Sequence, residues 1–248
     1  MKARGNFVLE EVIKSIRERL SVVKRGFKNI LCLCPDVEGL MELLAQRYPD
    51  ATIHWAAPGE FESTGARRPD FRYSHSQLNL PLEKYDLVVS PLALHWENDL
   101  PGVLAQIRLT MRPGGLFLGA LYGESHLHEL RTAFLEAAAV NGRGGSPRII
   151  PMVTIQQAAQ LLQRAGFALP VSDLETLQVQ YKDPMGLLAD LKEMAETNAL
   201  IARHNGLTGK GVFEDMSDIY RDRFSVDSEK VIASFEMIFM TGWAHEAV

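Results

Sequence analysis

With 248 residues, 46% hydrophobic and 23% charged, the chain is long enough to bury the core of one α/β domain with an accessory subdomain, and disordered and collagen-like classes are excluded. The formal net charge is -5, and Arg67-Arg68 is too small a cluster of cations to neutralise phosphates, so a nucleic-acid surface is excluded as well. Cys32 and Cys34 sit inside an apolar run and make no disulfide framework, which points to reducing, cytoplasm-like surroundings.

No stretch of eighteen apolar residues occurs, and the first seven residues have neither a signal-peptide hydrophobic region nor a transit pattern. A soluble, bacterial cytoplasmic protein without a transmembrane segment is expected, with peripheral membrane contact left open.

In chain order, Asn29–Cys34, Thr52–Trp55, Tyr85–Ser90 and Gly115–Leu121 are short apolar runs bounded by turn residues. Their lack of polar alternation suits strands covered on both faces. Between them, Asp36–Arg47 carries an apolar stripe at Val37, Leu40, Met41, Leu43 and Leu44, and Asp99–Thr110 carries another at Leu100, Val103, Leu104 and Ile107. The β-α-β-α alternation predicts a parallel, doubly wound sheet. A helix over Glu124–Val140 follows and stops at the Gly-rich segment 141–147. Thr154–Ala165 reads as a helix capped by Thr154 and ended by Gly166. Phe167–Leu174 and Thr176–Tyr181 read as extended, and Asp183–Asn198 and Phe213–Phe224 as helices. Val231–Trp243, rich in aromatics, reads as the closing strand.

An open parallel sheet binds its ligand beyond the carboxyl ends of the strands, so the loops after Cys34, Trp55, Ser76 and Ser90 are expected to line one cleft. The block Asp86–Gly115 (DLVVSPLALHWENDLPGVLAQIRLTMRPGG), the segment Gly119–Arg131 (GALYGESHLHELR), Leu191–Asn198 (LKEMAETN) and Phe239–Trp243 (FMTGW) carry a resemblance that runs from about Phe7 to the end of the chain. Together they resemble the methyltransferase-fold proteins of the complex I (NADH dehydrogenase) assembly factor 5 family, within the class I S-adenosylmethionine-dependent methyltransferases. The resemblance implies an α/β fold with a doubly wound, seven-stranded, mostly parallel sheet and a final antiparallel strand. It also implies a single domain over residues 1–248, with residues 183–228 as a helical lid insert before the last strand. S-adenosylmethionine is the implied cofactor, and hydroxylation of an arginine on a complex I subunit is the implied activity.

Three positions depart from that family. The first strand usually ends in a glycine-rich loop that lets the backbone approach the cofactor, whereas here Cys34-Pro35-Asp36 stands in its place and Gly39 alone can be matched. The acid that holds the ribose is replaced by Ala57, and the Asp offered to the adenine by Ser76. Asp36 would also repel the cofactor carboxylate. The cofactor set by resemblance is therefore Cys34, Asp36, Gly39, Ala57, Ser76, Ser90 and His95, with weak or lost binding expected.

The candidate catalytic residues are Trp96, Tyr122 and Glu124. Trp96 reads either as a cation-attracting wall or as packing against the next helix. Tyr122 and Glu124, with Arg131 nearby, could orient a guanidinium, although Glu124 equally suits the start of a helix. His126 and His128 are spaced for different helix faces, and no HxE or facial-triad pattern stands out, so no metal site is expected. Glu193, Glu196 and Asn198 on the lid read either as acceptors for a cationic segment or as a solvated face. Three functions compete: modification of an arginine on a respiratory subunit, methyl transfer to a small or carrier-bound acid, and a non-catalytic assembly scaffold.

Overall fold

The computed structural model describes residues 6–35, 38–59, 67–74, 77–140, 152–196, 210–226 and 229–245. Asp36, Ser76 and Asn198 lie outside them. Helices α1 (Phe7–Val22), α2 (Glu38–Arg47), α3 (Leu100–Thr110), α4 (His128–Val140), α5 (Ile155–Arg164), α6 (Pro184–Glu193) and α7 (Lys210–Phe224) accompany seven strands. These are β1 (Asn29–Leu33), β2 (Thr52–Pro58), β3 (Phe71–Tyr73), β4 (Tyr85–Pro91), β5 (Met111–Tyr122), β6 (Phe167–Tyr181) and β7 (Val231–Ala244). They form one sheet in the order β3-β2-β1-β4-β5-β7-β6. The pairs from β3 through β5 are parallel, and β5 with β7 is antiparallel. The seven-stranded, mostly parallel, doubly wound sheet is thus the one expected. No helix among the described residues is long and apolar enough to cross a membrane.

Two compact units divide the chain. The larger holds residues 8–123, 153–175 and 237–248, which include β1 to β5 and α1, α2, α3 and α5. Alternation along the strands sends Leu31, Leu33, Val88 and Phe117 into a core with Val103, Leu104 and Ile107 of α3 and Ala158 and Leu162 of α5. Asp99 caps α3 by accepting from the Gly102 N–H at 3.0 Å. Thr154 and Gln157 close a reciprocal capping box on α5. Helix α1 buries Val8, Val12, Ile16 and Leu20. Its Arg19 guanidinium lies 3.7 Å from the centre of the Phe239 ring on β7 and donates to Asp173 and, at 2.8 Å, to Glu175 on β6. Ser15 donates to the other Glu175 oxygen at 2.7 Å.

The segment FMTGW thereby acquires physical reasons. Phe239 carries Arg19, and Gly242 faces Phe167, where an added Cβ would come within 2.9 Å of the Phe167 Cβ and Cγ. That part of a phenylalanine cannot swing away. Gly242→Ala is therefore expected to destabilise the protein by about 1–3 kcal/mol, read as a lower melting midpoint by circular dichroism; an unchanged midpoint would mean that the strand can shift.

The smaller unit holds residues 1–7, 124–152 and 176–236. In it Phe134 of α4 meets Phe213 of α7 edge to face at 5.9 Å, and Arg223 donates to Glu136 at 3.0 Å. Glu129 is buried and accepts both the Ser234 N–H at 3.1 Å and the Ser234 hydroxyl at 2.5 Å. Tyr220 donates to the Ile232 carbonyl at 2.8 Å.

Local departures from expectation have local causes. Helix α4 begins at His128 and not at Glu124, because Leu127 takes a φ of 49° and gives its N–H to the Ser234 carbonyl at 2.8 Å. Phe167–Tyr181 is one strand and not two. Its pattern of outward residues changes side near Ser172 and Asp173, where Arg19 grips the acids. Strand β3 has only three residues, too few to show a period. Strand β5 begins four residues before Gly115, with a register irregularity against β4 and Gly114 at a φ of 73°.

Candidate functional site

The carboxyl ends of β1, β2 and β4 are stitched together inside the larger unit. Cys34 gives its N–H to the Ala56 carbonyl at 3.2 Å, and its own carbonyl accepts the buried Trp55 indole N–H at 2.8 Å. From the other side, the Ser90 hydroxyl donates to the Leu33 carbonyl at 2.9 Å. Cys34 and Ser90 are fully buried. Burial pushes the Cys32 thiol well above the usual range, which leaves it protonated and unreactive at neutral pH. Ala57 is also fully buried, within β2 and opposite Arg72 of β3. Gly39 lies in the first turn of α2, where an added Cβ would meet only Ile13 at an ordinary 3.5 Å.

Of the residues expected to hold S-adenosylmethionine, Cys34, Gly39, Ala57, Ser90 and His95 lie among the described ones. No glycine at the end of β1 creates a close backbone approach. The Leu33 and Cys34 carbonyls have protein partners, and no carboxylate stands at Ala57.

The loop after β4 is better formed. Leu92 is buried with a φ of 46°, a left-handed conformation uncommon for leucine, and its N–H reaches the Ala120 carbonyl of β5 at 2.9 Å. Past this corner, Leu94–Trp96 make one 3-10 turn, closed by the Glu97 N–H on the Leu94 carbonyl at 3.2 Å. His95 and Trp96 are half-buried, with ring centres 5.0 Å apart. The His95 ring also lies 4.7 Å from the ring of Tyr122, which is buried at the end of β5. Three of the expected site residues therefore meet as one aromatic wall. Glu97, which sequence reasoning passed over, is also buried. Its carboxylate, after desolvation, is the next cause that holds the Tyr73 phenol far above its usual range, and Cys34 follows. The signal available for Glu97 was its place directly after His95-Trp96.

The remaining candidates belong to the smaller unit. Glu124 is exposed in the turn before α4. Glu193 is exposed at the end of α6, and Glu196 is half-buried just beyond Ala195, whose φ is 60°. His126 is buried against Phe235 with ring centres 5.6 Å apart, whereas His128 is exposed and faces Phe224. No group of three metal-binding side chains occurs among the described residues.

Residues 9–170 match the family model described as a methyltransferase domain, which is more than half of the chain. The chain belongs to this methyltransferase family. Its sheet is that of the class I methyltransferase fold. Arginine-hydroxylase NDUFAF5 of Rattus norvegicus is 36% identical over 168 residues, 68% of this chain and 49% of that one. The chain thus spans about half the length, or less, of the curated NDUFAF5 relatives, falling to 38% for that of Dictyostelium discoideum. A malonyl-[acyl-carrier protein] O-methyltransferase of Methylovorus sp. (strain MP688) is 35% identical over 251 residues, covering 96% of this chain and 82% of that one. Among solved structures, the YcgJ protein from Bacillus superposes with a TM-score of 0.59 at 12% identity, covering 96% of this chain and 100% of that one, a likeness of fold alone.

Proposed function

We propose that this methyltransferase-fold protein recognises an arginine-bearing segment of a protein partner, a respiratory complex I subunit, in the bacterial cytoplasm. The observation that carries the reading is the pair of half-buried rings His95 and Trp96 after β4, with His95 backed by the buried Tyr122 at the end of β5. A guanidinium is planar and weakly hydrated, so it stacks on aromatic faces more readily than an ammonium does. The relatives named arginine-hydroxylase support the same class of ligand. Recognition needs no cofactor, and the self-bonded end of β1 favours weak S-adenosylmethionine binding. The net charge of -5 favours encounter with a basic segment.

The test is a calorimetric titration of an arginine-bearing peptide from a complex I subunit. Trp96→Ala is expected to weaken binding about 5- to 30-fold, the worth of a partly desolvated cation–aromatic contact, and Trp96→Phe to restore most of it. Equal affinity of the Ala variant and the parent would reject the wall as the recognition surface.

A second reading, methyl transfer to a carrier-bound acid, is favoured by the Methylovorus relative, whose match extends over nearly the whole chain. Formation of a methyl ester on a malonyl carrier in the presence of S-adenosylmethionine would put that reading first.

A further inference from the structure

The connections that enter β1, β2, β4 and β5 share the end of the parallel sheet opposite the carboxyl ends of those strands. Hydrogen bonds and one ion pair tie them into a single surface within the larger unit. Asp86 of β4 accepts the Lys28 and Asn29 N–H groups at 3.1 and 2.9 Å, and its other oxygen lies 3.7 Å from the Arg112 guanidinium of β5. Arg112 also donates to the Glu83 carbonyl at 3.3 Å, and the Glu83 N–H reaches the Leu109 carbonyl at 3.0 Å. Arg25 donates to the Gly114 carbonyl, and Arg47 to the Leu20 carbonyl at 2.6 Å. Charge on this surface runs against that of the chain. Lys24, Arg25, Lys28, Arg47 and Arg112 are exposed, and the exposed carboxylates of these connections are Asp50 and Glu83. Arg25 and Arg47 bond neutral oxygens and so keep their charge, and the ammonium groups of Lys24 and Lys28 make no bond among the described residues. Three aliphatic side chains border the cations: Val22 is 77% exposed, Leu82 69% and Leu109 57%. A nucleic acid would match the cations and leave these aliphatics in water, whereas the headgroup boundary of an anionic bilayer accommodates both.

We propose that this end of the sheet docks the protein on an anionic lipid bilayer, with Lys24, Arg25, Lys28, Arg47 and Arg112 at the headgroups and Val22, Leu82 and Leu109 at the apolar boundary. The net charge of -5 repels such a surface, so the attraction is confined to one end and the larger unit settles in one orientation. That orientation turns the carboxyl ends of β4 and β5, with His95 and Trp96, away from the bilayer and toward solution.

Flotation of the full chain with lipid vesicles tests this. Vesicles of phosphatidylcholine with about one-third phosphatidylglycerol are expected to carry the protein in dilute salt and to lose it as salt shortens the reach of the charges, and phosphatidylcholine alone to carry little. Lys24→Gln with Lys28→Gln is expected to weaken binding about 10- to 30-fold, since a cation near an anionic surface is worth about fivefold. Lys182→Gln with Lys192→Gln removes the same charge from exposed positions of the smaller unit and is expected to stay within about twofold of the parent. Leu82→Asn leaves the charge alone and is expected to weaken binding about 3- to 10-fold. Equal binding by the two lysine-pair variants, or no binding of the parent to anionic vesicles, would overturn the proposal. So would unchanged binding by Leu82→Asn, in which case phosphate attraction alone holds the protein and a short DNA duplex competes as well as lipid.

Discussion

S-adenosylmethionine titrated into the purified protein is expected to bind with a dissociation constant above about 100 μM, equivalent to about -5.5 kcal/mol. The reason lies in the ends of three strands. Trp55 and Ser90 already satisfy the Cys34 and Leu33 carbonyls, and the buried Ala57 offers the ribose no acceptor. A missing hydrogen bond to a neutral group removes about 0.5–1.5 kcal/mol and one to a charged group about 1.5–3. Two or three such losses separate ordinary micromolar affinity from the value expected. Calorimetry giving low-micromolar binding would overturn this and make methyl transfer to a carrier-bound acid the leading reading.

Restoring the ribose-binding acid is expected to harm the protein before it helps the ligand. Ala57 is fully buried within β2, so Ala57→Asp places a carboxyl group where water does not reach. A cost of about 3 kcal/mol or more follows from burying a polar group without an arranged partner. For a chain of this size that lowers the melting midpoint by roughly 6–12 °C. Thermal unfolding followed by circular dichroism, with and without S-adenosylmethionine, decides the matter. A variant that melts with the parent and gains cofactor affinity would show that the end of β2 opens onto a usable cleft.

Features governed by neighbours in sequence were legible from the residues. The buried runs became β1, β4 and β5, the apolar stripe from Leu100 to Ile107 became the inner face of α3, and the Thr154 cap became a capping box. Trp96 and Tyr122 were each singled out, but their common neighbour His95 joins them only through the β4–β5 register, in which Pro91 stands beside Ala120. Nothing local announces that pairing. Glu97 escaped notice for the same reason: an acid in the polar run Glu97-Asn98-Asp99 reads as solvated until the fold encloses it. The start of α4 was misplaced because a leucine in the left-handed region carries no compositional mark, unlike a glycine. Strand β3 owes its extended form to the backbone of β2 beside it more than to its own three residues.

The corner at Leu92 has a mechanical consequence. A leucine held left-handed costs about 1–3 kcal/mol and persists only where its surroundings insist on it. Here the N–H bond to Ala120 and the burial of the side chain do so. The anchor on β5 lies two residues before Tyr122, so the turn bearing His95 and Trp96 and the strand bearing Tyr122 form a single stiff piece. The His95 and Trp96 rings of the turn are thereby held against the buried Tyr122 ring, and little freedom is left in this loop for a later event to remove. The strain is borne once, during folding, and the turn is stiff from then on.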